Sequence, residues 1–101
     1  MDKPTIEALL HALGSKQVKS HGRWVTAECP LACWQHDGGK DSNPSFGIKI
    51  VDNGPSFCNC YTCGLGGDLF DMVTRVSHFH RLAPGPVVDL KRASELALTE
   101  E

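Results

Sequence analysis

Two short cysteine-bearing segments constrain this chain more than any other feature. The first reads Cys29-Pro30-Leu31-Ala32-Cys33-Trp34-Gln35-His36 and the second Cys60-Tyr61-Thr62-Cys63-Gly64. A closed tetrahedral metal site takes four Cys or His donors at about 2.0–2.3 Å, supplied two at a time by tight loops. Both halves of such a site are present. In the second half, two thiolates face each other across one turn, and the glycine that follows lets backbone amides point at sulfur. A redox Cys-x-x-Cys pair opens a helix after a strand in a βαβ setting. Here the pair follows the β-like run Ser56-Phe57-Cys58-Asn59 and precedes a glycine loop, which points to metal. In the first half Cys29 is joined by either Cys33 or His36, and spacing does not choose between them.

Cys29-Pro30, His36, Pro44-Ser45-Phe46 entering a strand, and Cys60, Cys63, Gly64, Gly67 and Asp68 entering a helix follow one another in this order. The succession resembles the CHC2-type zinc-binding domain of bacterial and phage DNA primases, over residues 5–80. That family usually carries Cys-Pro-x-His. Here position 32 is Ala32 and the histidine comes four residues later, an expansion similar to that in primases of phages and mobile elements. The resemblance implies that Cys29, His36, Cys60 and Cys63 hold one structural Zn2+, with Cys33 and Cys58 left as free thiols. It also implies a sheet face beside the zinc that reads single-stranded DNA template and supports RNA primer synthesis in replication. The polymerising chemistry would belong to a primase catalytic domain, with a replicative helicase as a further partner. Related primases place a basic residue just before Thr-Pro-Ser-Phe; Ser42 stands there in this chain, and Lys40, two residues earlier, is the candidate replacement.

A chain of 101 residues has room for one small domain, whose core is marginal without a staple. A bound metal would be that staple. Five cysteines make an odd number, and neither an apolar leader nor a run of transmembrane length is visible. A secreted disulfide framework is therefore not expected, and the reading is a cytoplasmic monomer without membrane contact. The net charge of −2 argues against a general polyanion binder. Residues 16–23 nevertheless hold Lys16, Lys19, His21 and Arg23 with no acid. Any nucleic-acid face would be local, and its binding weak and salt-sensitive.

Element signals support an α+β fold, with a small zinc-ribbon-like antiparallel β-sheet flanked by helices. Pro4 opens a helix over residues 4–13 with Ile6, Leu9, Leu10 and Leu13 on one stripe. Residues 17–19 and 23–28 read as strands joined by a turn around Ser20-His21-Gly22. In residues 45–51, Phe46, Ile48 and Ile50 alternate with Lys49. The turn Asp52-Asn53-Gly54-Pro55 then leads into residues 56–61, which deliver Cys60. Cys58 reads as a packed thiol. Gly66-Gly67-Asp68 is expected to start a helix carrying Leu69, Met72, Val73, Val76 and Phe79 on its buried stripe. Pro84-Gly85-Pro86 reads as a linker, and residues 87–98 as a helix that either folds back or leads elsewhere. The expected organisation is a zinc-binding domain over 1–80, then a linker and C-terminal helix over 81–101.

Single-stranded nucleic acid is held by basic side chains interleaved with aromatics. Lys19, Arg23 and Trp24 fit that pattern, and Lys40, Lys49 and Tyr61 complete the candidate set. The plainer reading of Lys19 and Arg23 is a solvated sheet face. A competing function is a zinc-ribbon protein-interaction or transcription-type module, in which Trp34 and Tyr61 would pack the fold instead of stacking bases. Nucleotide polymerisation needs clustered carboxylates around catalytic metal ions. The acids after residue 50 form no such cluster, and a closed four-ligand site offers no open position, so the chain by itself is expected to be non-catalytic.

Overall fold

The computed structural model describes residues 3–39, 44–51 and 56–98. The fold is α+β, built on a five-stranded antiparallel sheet whose strands lie side by side in chain order. Helix α1 (Lys3–Ala12) precedes strands β1 (Lys19–His21) and β2 (Trp24–Ala27). A one-turn helix α2 (Ala32–Gln35) and a 3-10 turn (Asp37–Gly39) lead towards β3 (Phe46–Lys49) and β4 (Phe57–Cys60). Strand β5 (Gly66–Asp68), helix α3 (Leu69–Leu82) and helix α4 (Leu90–Leu98) complete the order.

Register settles which side chains share a face. Val25 pairs with Ile48, which pairs with Cys58; Ala27 pairs with Phe46, which pairs with Cys60. These six are buried, so they line the inner face, as a period of two requires. Against that side lie Ile6, Leu9 and Leu10 of α1 and Leu69, Met72 and Val76 of α3, all fully buried. Helix α4 packs on both α1 and α3. Its Ala93 and Ala97, one turn apart, are buried, and small side chains there let the three helices approach closely. The link before it is pinned too: the amides of Val88 and Asp89 both donate to the Ala12 carbonyl, at 3.0 and 2.9 Å. Residues 87–98 thus fold back onto the core.

Two expectations are corrected. The first hairpin is tighter than composition suggested. His21 pairs with Trp24, leaving Gly22 and Arg23 as a two-residue loop. Gly22 has φ of +60°, the conformation such a loop needs at its first position. Arg23 therefore sits in the turn and not on a strand. Gly66-Gly67-Asp68 does not begin the helix but forms edge strand β5, with Gly67 opposite Cys58. Asp68 is instead the N-cap of α3, its Oδ1 accepting from the Asp71 amide at 2.7 Å. Backbone pairing to β4 outweighs the low strand propensity of two glycines, because the ladder needs amides and carbonyls rather than side chains.

Candidate metal centre and nucleic-acid face

The metal-capable side chains arrive from three places. Cys29 leaves β2 just ahead of α2, His36 caps the C-terminus of α2, and Cys60 and Cys63 bracket the turn after β4. Their donor atoms all lie within 4.8 Å of one another, and Cys29, His36 and Cys60 are buried. The sulfurs of Cys29 and Cys63 are 3.7 Å apart, and the Cys60 sulfur lies 3.3 Å from His36 Nε2. A tetrahedron with bonds of about 2.0–2.3 Å has edges of about 3.3–3.8 Å, a range that takes in both separations, so the cluster could hold one metal ion. It is the histidine that completes the first half. Cys33, three residues away, is exposed and lies outside the cluster.

Each turn also supplies groups that stabilise thiolate. The Leu31 amide donates to Cys29 Sγ at 3.4 Å. The Cys63 and Thr62 amides face the Cys60 sulfur, and the Leu65 amide faces that of Cys63. The Gly64 amide donates to the Cys60 carbonyl at 3.0 Å, and the residue's φ of +76° turns the following chain towards Leu65. Ser45 Oγ lies 3.3 Å from Cys60 Sγ and receives a hydrogen bond from Thr62 Oγ1. Burial pushes the Cys29 and Cys63 thiols up. Burial opposes ionisation of Cys60 as well, but hydrogen bonds from Ser45 and the Cys63 and Thr62 amides outweigh it and bring that thiol to about 7. Cys58 is separate: burial raises it to about 12, and its Sγ points to the Gly67 carbonyl at 3.4 Å. That is a packed thiol.

The other face of the sheet carries the nucleic-acid candidates. Cross-strand pairing sets out one row of His21, Trp24, Lys49, Phe57 and Asp68, and beside it Lys19, Thr26, Gly47, Asn59 and Gly66. Lys19, Lys49 and Phe57 are exposed, and Tyr61, just past β4, is 80% exposed. The Trp24 indole lies over Gly47, where an added Cβ would stand 3.1 Å from its Cε3. Phe57 meets Trp24 edge-on at 6.2 Å between centroids, and Lys49 Nζ is 6.0 Å from the indole centre.

Lys19, Trp24, Lys49 and Tyr61 of the candidate set thus gather on or beside one face, Arg23 sits at its hairpin tip, and Lys40 falls outside the described residues. Trp34 is elsewhere. It stacks on Phe79 and donates from Nε1 to the Ala83 carbonyl at 2.7 Å, fastening α2 to the end of α3. Phe57, outside the candidate set, lies on the same face, as alternation from the inward Cys58 and Cys60 requires.

No helix among the described residues is long and apolar enough to cross a membrane. Comparison with protein-family models, with curated proteins and with solved structures finds no match to the chain.

Proposed function

We propose that this chain is a zinc-binding module that holds single-stranded DNA on the outer face of its sheet and supports RNA primer synthesis by a DNA primase domain acting beside it. The observation that carries this reading is the outer face itself, where Trp24, Phe57 and Tyr61 are interleaved with Lys19 and Lys49. Stacking on aromatic faces and tracking of phosphates by cations are the two terms by which single strands bind without strong sequence preference. The Cys29-Pro30, Pro44-Ser45-Phe46 and Cys60-x-x-Cys63-Gly64 segments, similar to those of CHC2-type primase domains, give the face its setting.

The ion is Zn2+, since a set of three thiolates and one imidazole suits tetrahedral zinc. Held by Cys29, His36, Cys60 and Cys63, it would supply structure, tying α2 to the Cys60–Cys63 turn. Cys29 and Cys63 would give up thiol protons on binding, with the Leu31 and Leu65 amides already aimed at their sulfurs to spread the charge. The test is titration of the zinc-loaded chain with a short single-stranded oligonucleotide over a salt series. Replacing Lys19 and Lys49 by Gln should lower the slope of log affinity against log salt by about 1.4, given ~0.7 per phosphate contact on single strands. Absence of binding at low salt would sink the reading and favour a protein-interaction ribbon.

A further inference from the structure

Helix α3 carries a second stripe beside the one that packs on the sheet. Phe70, Val73, Ser77, His78 and Arg81 stand at positions i, i+3, i+7, i+8 and i+11, a spacing that keeps them on one side of a helix. With Ser94 of α4 they line a cavity of about 330 Å3 in the groove between the two helices. That volume lies within the usual range of about 300–1,000 Å3 for small-molecule sites. The cavity shares no residue with the metal cluster or with the proposed DNA face.

The two ends of the cavity differ in chemistry. Towards the start of α3 its wall is apolar, made by Val73, which is buried, and by Phe70, a large ring left 49% exposed. Towards the end of α3 lie Arg81 and His78, both exposed, with the hydroxyls of Ser77 and of Ser94 across the groove. The Thr74 hydroxyl, also in the wall, is already donated to the Phe70 carbonyl at 2.8 Å. Among the described residues no acid lines the cavity and no carboxylate pairs with Arg81. Positions 70 and 81 are about 16 Å apart along the axis at ~1.5 Å per residue. Helical side chains lean towards the N-terminus, so the guanidinium reaches back over the turn of Ser77 and His78 and shortens that span.

We infer that this groove binds a small phosphate monoester with a flat, apolar substituent, the phosphate at Arg81 and His78 and the substituent against Phe70 and Val73. The sign of the ligand follows from a permanent cation without a counter-charge in the wall. Its kind follows from the donors. Arg81 presents a rigid fork of N–H groups, His78 a ring N–H, and Ser77 and Ser94 one hydroxyl each. A phosphate monoester brings three acceptor oxygens and a charge of about −1.5 to −2 near pH 7, whereas a carboxylate brings two oxygens and a single charge. Hydrogen bonds between guanidinium and phosphate are charge-assisted and directional, and they would hold the ester at one end while the ring buries apolar surface at the other. Nothing in this assignment requires the single-strand reading of the sheet.

The experiment titrates the zinc-loaded full chain, at fixed ionic strength, with phenyl phosphate, inorganic phosphate, benzoate and diphenyl phosphate, read from backbone amide shifts. Phenyl phosphate should bind about tenfold more tightly than the other three, moving amides of residues 70–81 and of Ser94. Arg81→Gln should weaken it by about tenfold, the size of a lost charged hydrogen bond. Phe70→Ala should bring it down to the level of inorganic phosphate. Arg75→Gln removes an exposed cation of the same helix outside the cavity and should leave affinity unchanged. Circular dichroism of each variant verifies that the fold is kept. Benzoate binding as tightly as phenyl phosphate overturns the choice of phosphate, and diphenyl phosphate doing so overturns the monoester and favours a nucleic-acid backbone. An equal loss with Arg75→Gln would show diffuse attraction to a basic helix and overturn the site, as would the absence of any shift at millimolar concentrations. Oligonucleotide binding, measured separately, is untouched by any of these results.

Discussion

Cys29 Sγ and Cys63 Sγ stand 3.7 Å apart although 34 residues separate them, and Cys60 and His36 close the same cluster from two further directions. Removing one donor from such a set should cost the ion. The expected result is about one zinc per chain for wild type and for Cys33→Ala, and a fall towards zero for His36→Ala, read by metal analysis of purified protein. Zinc lost with Cys33→Ala and kept with His36→Ala would reassign the first half of the site.

Metal affinity should fall steeply as pH is lowered. The ligands are thiolates, and burial holds Cys29 and Cys63 protonated while Cys60 lies at about 7. Below that value all three thiols must lose a proton to bind, so apparent affinity should drop by about a thousandfold per pH unit, tenfold for each proton displaced. Above it the slope relaxes as Cys60 ionises. Competition with a chelating dye between pH 6 and 8 measures it, and a flat profile would rule out thiolate ligation.

Chelation should destabilise the fold as a whole. The ion site joins β2, α2 and the turn after β4, and structural zinc in small domains contributes on the order of 10 kcal/mol. Stripping the metal is expected to lower the thermal midpoint by more than about 20 °C, or to remove the cooperative transition altogether. Circular dichroism with and without chelator decides it; an unchanged midpoint would show that the apolar core suffices.

Helix α4 should prove integral to stability. Ala93 is completely buried where α4 meets α1 and α3, so Ala93→Glu places a charge with no counter-ion in the core. The expected loss is about 3 kcal/mol or more, seen as a shift of the urea midpoint, whereas Glu95→Ala on the exposed side of the same helix should change it by no more than about 0.5 kcal/mol.

Gly47→Val should separate DNA binding from metal binding. A Cβ at this position already meets the Trp24 ring at 3.1 Å, so a branched side chain lifts the indole. Loss of single-strand affinity by about tenfold, the size of one lost stacking contact, is expected with zinc content unchanged. Unaltered binding would mean that the strand lies elsewhere.

Local chemistry made much of this legible in the sequence. Cys60-x-x-Cys63-Gly64 forms its turn from its own amides, and the stripes of α1 and α3 bury the apolar residues their spacing picks out. Alternation in β3 put Phe46 and Ile48 inside and Lys49 outside, for the same reason. The turn closes within a few residues, and the helical stripe and the strand alternation follow from the local backbone repeat, whatever each later packs against.

Tertiary structure decided the rest. Spacing alone left Cys33 and His36 equal; the choice follows from α2, whose single turn carries His36 to the cluster and leaves Cys33 exposed, while Trp34 anchors that turn to Phe79 and Ala83. Strand β5 exists because β4 offers an unpaired edge to Gly66–Asp68, and nothing in two glycines announces a ladder. The platform of Trp24, Lys49 and Phe57 depends on cross-strand register, which pairs Trp24 with Lys49 from a segment more than twenty residues away and Lys49 with Phe57. Sequence by itself determined which residues can ligate, alternate or form helices, because those properties are local. Which of them meet was decided by long-range pairing, since a side chain's partner across a sheet is set by backbone register and not by its neighbours in the chain.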